Sequence, residues 1–255
     1  MKRKTYDIVY SIGYACACAE YLKRAGLRSC SGPFDWIVEP TFSERVDVIV
    51  KNFKGFFQSP KDFSPLPRPT TGMVDKSCEY FHDNVYGFNS LHDFPINVPI
   101  EQSFPEVSAK YHRRIERFDR NIRECKRVLL VWFTFQIETS DEDFIKGVAR
   151  LRKHFGRNID FLVIEHRDGI TTPVRKELAP NVIRYYANVK DIPNPTGSSE
   201  EEFMGNIEGV LPLFTQYKSS RIVKMRIVKA LVSCIPLRGF RHRLRARLRE
   251  KGWSA

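Results

Sequence analysis

Polar and apolar residues alternate near the start of the chain. Over residues 6–12 they set Ile8, Tyr10 and Ile12 on one face and Val9 on the other, the period of a strand. Gly13 breaks that pattern. Residues 14–24 then read as a helix, with Gly26 just past its end as a C-cap. Residues 27–36 contain Ser31, Gly32 and Pro33 and read as loop. Over residues 42–53, Val46, Ile49, Val50 and Phe53 fall at helical spacing. Pro and Ser crowd residues 60–72, which predicts an irregular surface excursion. Residues 79–88 read as a hairpin turning at Asp83-Asn84, and residues 91–94 as a short apolar stretch holding His92. Ser103 and Pro105 open a long helix, with proline at the first helical position, that runs through Cys125. In it Tyr111, Ile115, Phe118 and Ile122 recur at i, i+4, i+7 and i+11 as one buried stripe.

The second half changes character. Residues 128–135 (VLLVWFTF) are wholly apolar, as in a central strand covered on both faces. Ser140 with Asp143 makes a capping box for a helix running to about Phe155. Residues 159–164 and 182–186 read as two more buried strands. Ser199 with Glu202 opens a last helix through about Tyr217. Strand, helix, strand predicts a βαβ unit, hence an α/β fold with α+β as the alternative. The expected architecture is a Cys-bearing helix after the first strand and a mostly parallel central sheet with flanking helices. The chain carries no internal repeat.

Composition supports a folded body. Of 255 residues, 42% are hydrophobic and 13% aromatic, enough for a core and too apolar for disorder. No apolar stretch reaches the ~18 uncharged residues a membrane-spanning helix needs. The first apolar run is short and interrupted by Asp7, so a secretory signal is not expected. That predicts a cytoplasmic, reducing setting in which the six cysteines are free thiols.

The net charge of +12 is unevenly placed. Twelve basic residues and one acid, Glu250, follow from Lys218 onward, leaving 30 basic and 29 acidic residues before it. The chain therefore divides into a near-neutral body, residues 1–217, and a cationic tail, residues 218–255. Beyond Pro236 the tail places Leu237, Phe240, Leu244 and Leu248 on one stripe among arginines such as Arg241. Such a helix suits the interface of an anionic bilayer, and Trp253 suits it too. Packing on its own body or on a partner is the alternative. Nucleic acid is not the expected partner, because the body is neutral and the tail lacks interleaved aromatics for base stacking. Oligomeric state is not legible.

Three constellations can carry chemistry. In SIGYACACAE, Cys16 falls in the first turn of a helix, where the dipole favours a thiolate and free N–H groups can hold an oxyanion. Cys18 lies roughly 200° further round and faces elsewhere. Both can equally be small buried hydrophobes. The Cys16-x-Cys18 pair has no second Cys or His pair at zinc spacing, so neither metal nor cofactor is expected.

The second constellation is the base. His92, in SLHDFP, is a general-base candidate. His166 follows a buried strand, where parallel sheets place their sites. His82, His112, His154 and His242 read as surface or structural. The third is PFDW. Asp35 there either orients a histidine or bonds loop amides. If residues 91–94 are extended, Asp93 faces away from His92 and Asp35 is the better third member.

Taken in order, SIGYAC, LRSCSGPFDWI, LHDF and KYHRRIERF resemble the bacterial family described as "putative papain-like cysteine peptidases", a domain of unknown function. The matching residues are Ser11, Ile12, Gly13 and Cys16; Gly26, Leu27 and Arg28; Pro33 to Trp36; His92 and Asp93; and Arg113, Arg114, Arg117 and Phe118. They span most of residues 5–190. The resemblance implies Cys16 as nucleophile, His92 as base, and Asp35 or Asp93 as the acid behind it. The strand–helix–strand half after residue 127 departs from papain and leaves room for another α/β enzyme.

Arg113, Arg114 and Arg117, with His166, are candidates for binding an anionic substrate group. The arginines can equally be a solvated face paired with Glu116 and Asp119. The tail loosely resembles basic C-terminal segments of bacterial glycosyltransferases that assemble capsule and lipopolysaccharide. The expected function is thus a cysteine-dependent hydrolase or acyl/amide transferase. It would act on a glycan or peptide/amide substrate in cell-surface glycan biosynthesis, at the inner face of the cytoplasmic membrane. One alternative is a glycan-assembly transferase with no thiol step, binding sugar-nucleotide phosphates at the loops after Phe135 and Ile164, near Glu165 and His166. The other is a non-enzymatic membrane-recruited scaffold.

Overall fold

Two apolar strands next to each other in space lie far apart in the chain, and they organise the molecule. In the computed structural model, which describes residues 3–68, 75–135, 139–193 and 195–233, the elements run β1 (Lys4–Tyr6), β2 (Ile8–Ser11), α1 (Cys16–Arg24), β3 (Ile37–Val38), α2 (Phe42–Val50), β4 (Phe63–Leu66), β5 (Cys78–Asp83), β6 (Asn89–Pro95) and α3 (Ile100–Glu124). They continue with β7 (Val128–Thr134), α4 (Asp141–Phe155), β8 (Asp160–His166), β9 (Val174–Ala179), β10 (Val182–Ala187), α5 (Ser199–Met204), α6 (Ile207–Val210), β11 (Tyr217–Ser219) and α7 (Ser220–Ser233). The expected tail stripe of Leu237, Phe240, Arg241, Leu244 and Leu248 lies outside the described residues, as do His242 and Trp253.

The main sheet has five strands in the order β2-β7-β8-β10-β9. All its pairs are parallel except β10–β9. The fold is α/β, as the alternation of strands and helices predicts. Strand periodicity splits each apolar run between two cores. Leu130 and Trp132 of β7 face α2, α3 and α4, together with Ile8 and Tyr10 of β2. Leu129, Val131 and Phe133 face α1 and the α5–α6 region. Helices on both sides explain why β7 is buried at every position. A second, antiparallel sheet, β3-β6-β5-β4, carries His92 and packs Phe63, Phe88 and Phe94 with Phe104 of α3.

Several boundaries differ from the sequence reading. The long helix begins at Ile100 after Pro99, so Pro105 is inside it and forfeits one backbone bond rather than opening it. Residues 60–72 contain β4, which pairs with β5. The polar strand β9 was not foreseen, because an exposed edge strand carries charge instead of an apolar face. The helix expected from Ser199 to about Tyr217 is capped by Ser198 and stops at Met204. Gly205 there has φ +69, and a Cβ on it would collide with the Val189 carbonyl. Lys218 and Ser219, assigned above to the tail, lie in β11, which runs parallel to β1.

Candidate active site

The strand-to-helix turn that presents Cys16 is built by close approach. The ladder continues past β2, with Ile12 N–H donating to Val131 O at 2.9 Å and Tyr14 N–H to Phe133 O at 3.0 Å. Gly13 is obligatory here: a Cβ would overlap the Cys18 Cβ and lie 2.8 Å from Cys18 Sγ. Cys18 is fully buried with its thiol toward Val131 O, so it is a core residue. Extended Ala15 precedes α1, and no side chain caps the helix. The N–H groups of Cys16 and Ala17 face the Cys16 thiol instead and stabilise its anion.

Cys16 Sγ lies 4.0 Å from His92 Nε2. His92 Nδ1 lies 3.0 Å from Asp75 Oδ2. A carboxylate at Nδ1 places the ring proton there and leaves the Nε2 lone pair facing the thiol. Asp75 is in turn held by Ser77, whose backbone N–H and hydroxyl donate to Oδ1 at 2.9 and 2.6 Å. Its backbone N–H donates to Tyr80 Oη at 2.9 Å. Hydrogen bonds from Ser77 and His92 hold the Asp75 carboxyl down at about 2. Trp36 packs edge-on to His92 at 5.9 Å between ring centres.

Asp75 occupies the place for which Asp35 and Asp93 were candidates. Asp35 is completely buried and anchors its own loop, taking Arg28 Nε at 2.8 Å and the Gly32 N–H at 2.9 Å. Burial raises its carboxyl, and Arg28 opposes that shift. Asp93 points to the other face of β6, where Ser90, Lys110 and Tyr111 each donate to it at 2.7 Å. Alternation along the strand sends Asp93 away from His92. Asp75 was missed because it falls between the excursion over residues 60–72 and the hairpin over residues 79–88, in a stretch assigned to neither. The D-x-S turn it makes with Ser77 was its only local signal.

A second unforeseen residue is Arg45 on α2. Its guanidinium is wholly buried and donates to the carbonyls of Tyr14 (2.8 Å), Ile37 (3.2 Å), Pro40 (3.2 Å) and Phe34 (3.5 Å). It thereby ties the turn before Cys16 to the PFDW loop.

The remaining candidates disperse. Arg117 donates to Ser31 O at 2.7 Å and braces the same loop. Arg114 lies over the Tyr111 ring at 5.0 Å, behind Asp35, and its buried Nη1 lacks a hydrogen-bond partner. Arg113 is on the exposed face of α3. The placement corrects His166 as a substrate ligand. Its ring is buried, Nδ1 accepts from Val189 N–H at 3.0 Å, and Nε2 pairs with Asp168 at 2.8 Å. Glu165 is equally enclosed, beside Arg184.

The thiol itself departs from the sequence expectation. Burial pushes Cys16 up to about 11, and the N–H groups of Cys16 and Ala17, with Arg45, only partly offset that. The resting residue is therefore a thiol, and attack requires a base. His92 is positioned to be one, with Nε2 4.0 Å from Sγ.

A family model described as "Putative papain-like cysteine peptidase" matches residues 7–169. The uncharacterized protein R408 of Acanthamoeba polyphaga mimivirus is 30% identical over 135 residues, 48% of this chain and 59% of its own length. The chain thus spans less than two thirds of that relative. The relative is viral and lends no support to the bacterial origin that the motif resemblance implied. No solved structure matches the chain.

Proposed function

The chain belongs to the family described as "Putative papain-like cysteine peptidase", and from that premise we propose that it is a cysteine-dependent hydrolase or acyl/amide transferase, with Cys16 as nucleophile, His92 as base and Asp75 as the orienting acid. The observation that carries this reading is the chain of contacts from Sγ through the imidazole to Asp75. Sγ attacks a carbonyl carbon while its proton passes to Nε2, and the uncapped N–H groups of α1 accept the negative charge forming on oxygen. The C–N or C–O bond then breaks, the leaving group takes the proton from Nε2, and a thioester remains on Cys16. Water, or another nucleophile in a transfer, cleaves it by the same proton path.

The two acids separate the roles. Asp75→Asn should lower the rate of Cys16 acylation by an activated ester about 10–100-fold, with little loss of thermal stability, as expected for an acid acting through a general base. Asp35→Asn should instead destabilise the fold, because the charge of Arg28 loses its partner, by about 3 kcal/mol or more. Equal rates in Asp75→Asn and the parent protein would remove Asp75 from the mechanism.

A second observation bears on location. Helix α7 has no acidic residue and leaves Val223 and Ile227 about half exposed, one helical turn apart, beside exposed Lys224. We read α7 and residues 234–255 together as an anchor for an anionic membrane, and glycan assembly at that surface as the context of the reaction. Both extend the amphipathic pattern and charge of the tail. In the full chain, Val223→Asp with Ile227→Asp should weaken co-sedimentation with phosphatidylglycerol-containing vesicles by about ten- to a hundredfold, about what burying the exposed halves of two aliphatic side chains contributes. Unchanged sedimentation would exclude α7 from the contact. A truncation used for this purpose has to fall after Ser219, since Tyr217–Ser219 pairs with β1.

A further inference from the structure

Arg45 presents a cost that the fold alone does not explain. Among the described residues, no carboxylate lies within ion-pair distance of its guanidinium. All four of its acceptors are neutral carbonyls. Asp35, the buried acid whose charge reaches Arg45, is already paired with Arg28. An isolated buried cation is expensive to keep, and burial pulls this arginine below its ordinary range, although a guanidinium stays charged within a protein. A neutral side chain donating to the same carbonyls would tie the two loops together at less cost.

The position of the charge suggests why it is kept. Its shortest hydrogen bond is to Tyr14 O, two residues before the nucleophile. The charged and titratable groups near it are Cys18, Tyr14, Asp35 and Glu44. Cys18 is fixed in the core, and Glu44 is spent on capping α2 with Thr41. Cys16 in turn feels Asp35, Arg45 and its own helix N–H groups, with His92 opposite.

We propose that Arg45 is a positioning residue whose buried guanidinium is the standing counter-charge for the anion that forms at Cys16 during the reaction. It is the preorganised electrostatic element of the site: a charge fixed in advance by four carbonyls, in a dry environment, awaiting a partner that exists only transiently. The same hydrogen bonds set the spacing of the Cys16 turn and the PFDW loop bearing Trp36. This inference rests on the assignment of Cys16 as nucleophile.

The test uses the full chain and the pH dependence of Cys16 alkylation by iodoacetamide, with the site identified by peptide mass. In the parent protein the free-thiolate part of the rate, above the share assisted by His92, should climb toward about 11, the range to which burial pushes this thiol. Arg45→Gln keeps hydrogen-bond donors and removes the charge. It should slow alkylation at least tenfold at fixed pH and displace the curve to higher pH. A folded Arg45→Gln whose curve superimposes on the parent's would overturn the proposal.

Arg45→Lys decides the matter even if the glutamine variant fails to fold. A buried lysine loses its proton below the ordinary lysine range. Its alkylation curve should follow the parent's at lower pH and then flatten where the ammonium deprotonates. A lysine variant that tracks the parent throughout would equally overturn the proposal. Should parent Cys16 react no faster than half-buried Cys30 at any pH, and no slower in His92→Ala, the nucleophile assignment itself falls, and this inference with it.

Discussion

Replacing His92 by alanine is expected to slow acylation of Cys16 at pH 7 by about 10²–10⁴-fold. Burial holds the Cys16 thiol at about 11. At neutral pH only about one thiol in 10⁴ is then ionised, so a reaction relying on free thiolate is slow. The base removes that limit by taking the proton as the S–C bond forms. The sign of the pH dependence follows. With His92 present, proton transfer to Nε2 frees the reaction from its dependence on free thiolate. Without it, the rate climbs about tenfold per pH unit toward 11, and the two curves converge at high pH. Stopped-flow acylation by an activated ester between pH 5 and 11 measures both. Parallel curves, or equal rates at pH 7, would show that His92 does not act as the base.

Gly13→Ala is expected to combine a stability defect with loss of the site. The added Cβ would overlap Cys18 and lie 3.1 Å from Phe133 O, and neither neighbour can yield. Cys18 is enclosed between α1 and the sheet, and the Phe133 carbonyl accepts the Tyr14 N–H. The start of α1 must move outward, at a cost of about 1–3 kcal/mol or more. Because Cys16 is the first residue of that helix, the same shift takes Sγ away from His92. Denaturant unfolding and the acylation rate of the folded fraction should therefore fall together. Cys18→Gly in the same chain removes the atom that is struck. The double variant should recover part of both losses, although each single change is harmful, and a double-mutant cycle measures that recovery. Simple additivity would mean the contact is not the cause.

What the sequence disclosed depended on how local the information was. The buried strands were legible because β7, β8 and β10 are apolar enough to announce coverage on both faces. Gly13 and the helix after it were legible because a strand, a glycine and a helical period adjoin. Cys16 and His92 could be named as a pair only from motif order. Their proximity depends on β6 pairing within a separate sheet. Asp75 was out of reach, since its role comes from contact with His92 seventeen positions on. Arg45 looked like one more polar position on an amphipathic helix, and only its burial gives it meaning. Edge strand β9 and the break at Gly205 were also missed. Strand β9 shows no apolar face because it is an exposed edge, and the break at Gly205 is set by the Val189 carbonyl, which the local sequence does not reveal.

The strand that leads into the Cys16 turn has a consequence for synthesis. Ile8 of β2 pairs with Val128, and the Tyr14 N–H needs the Phe133 carbonyl. The turn that aims Cys16 cannot close until more than half the chain has been made, and β1 waits longer still for Tyr217. Such long loop closures slow folding. A nascent chain should thus carry an unassembled thiol until β7 has left the ribosome, with reactivity appearing late and abruptly. Arrested nascent chains of increasing length, probed for Cys16 acylation, should show a step once residues 128–134 are exposed.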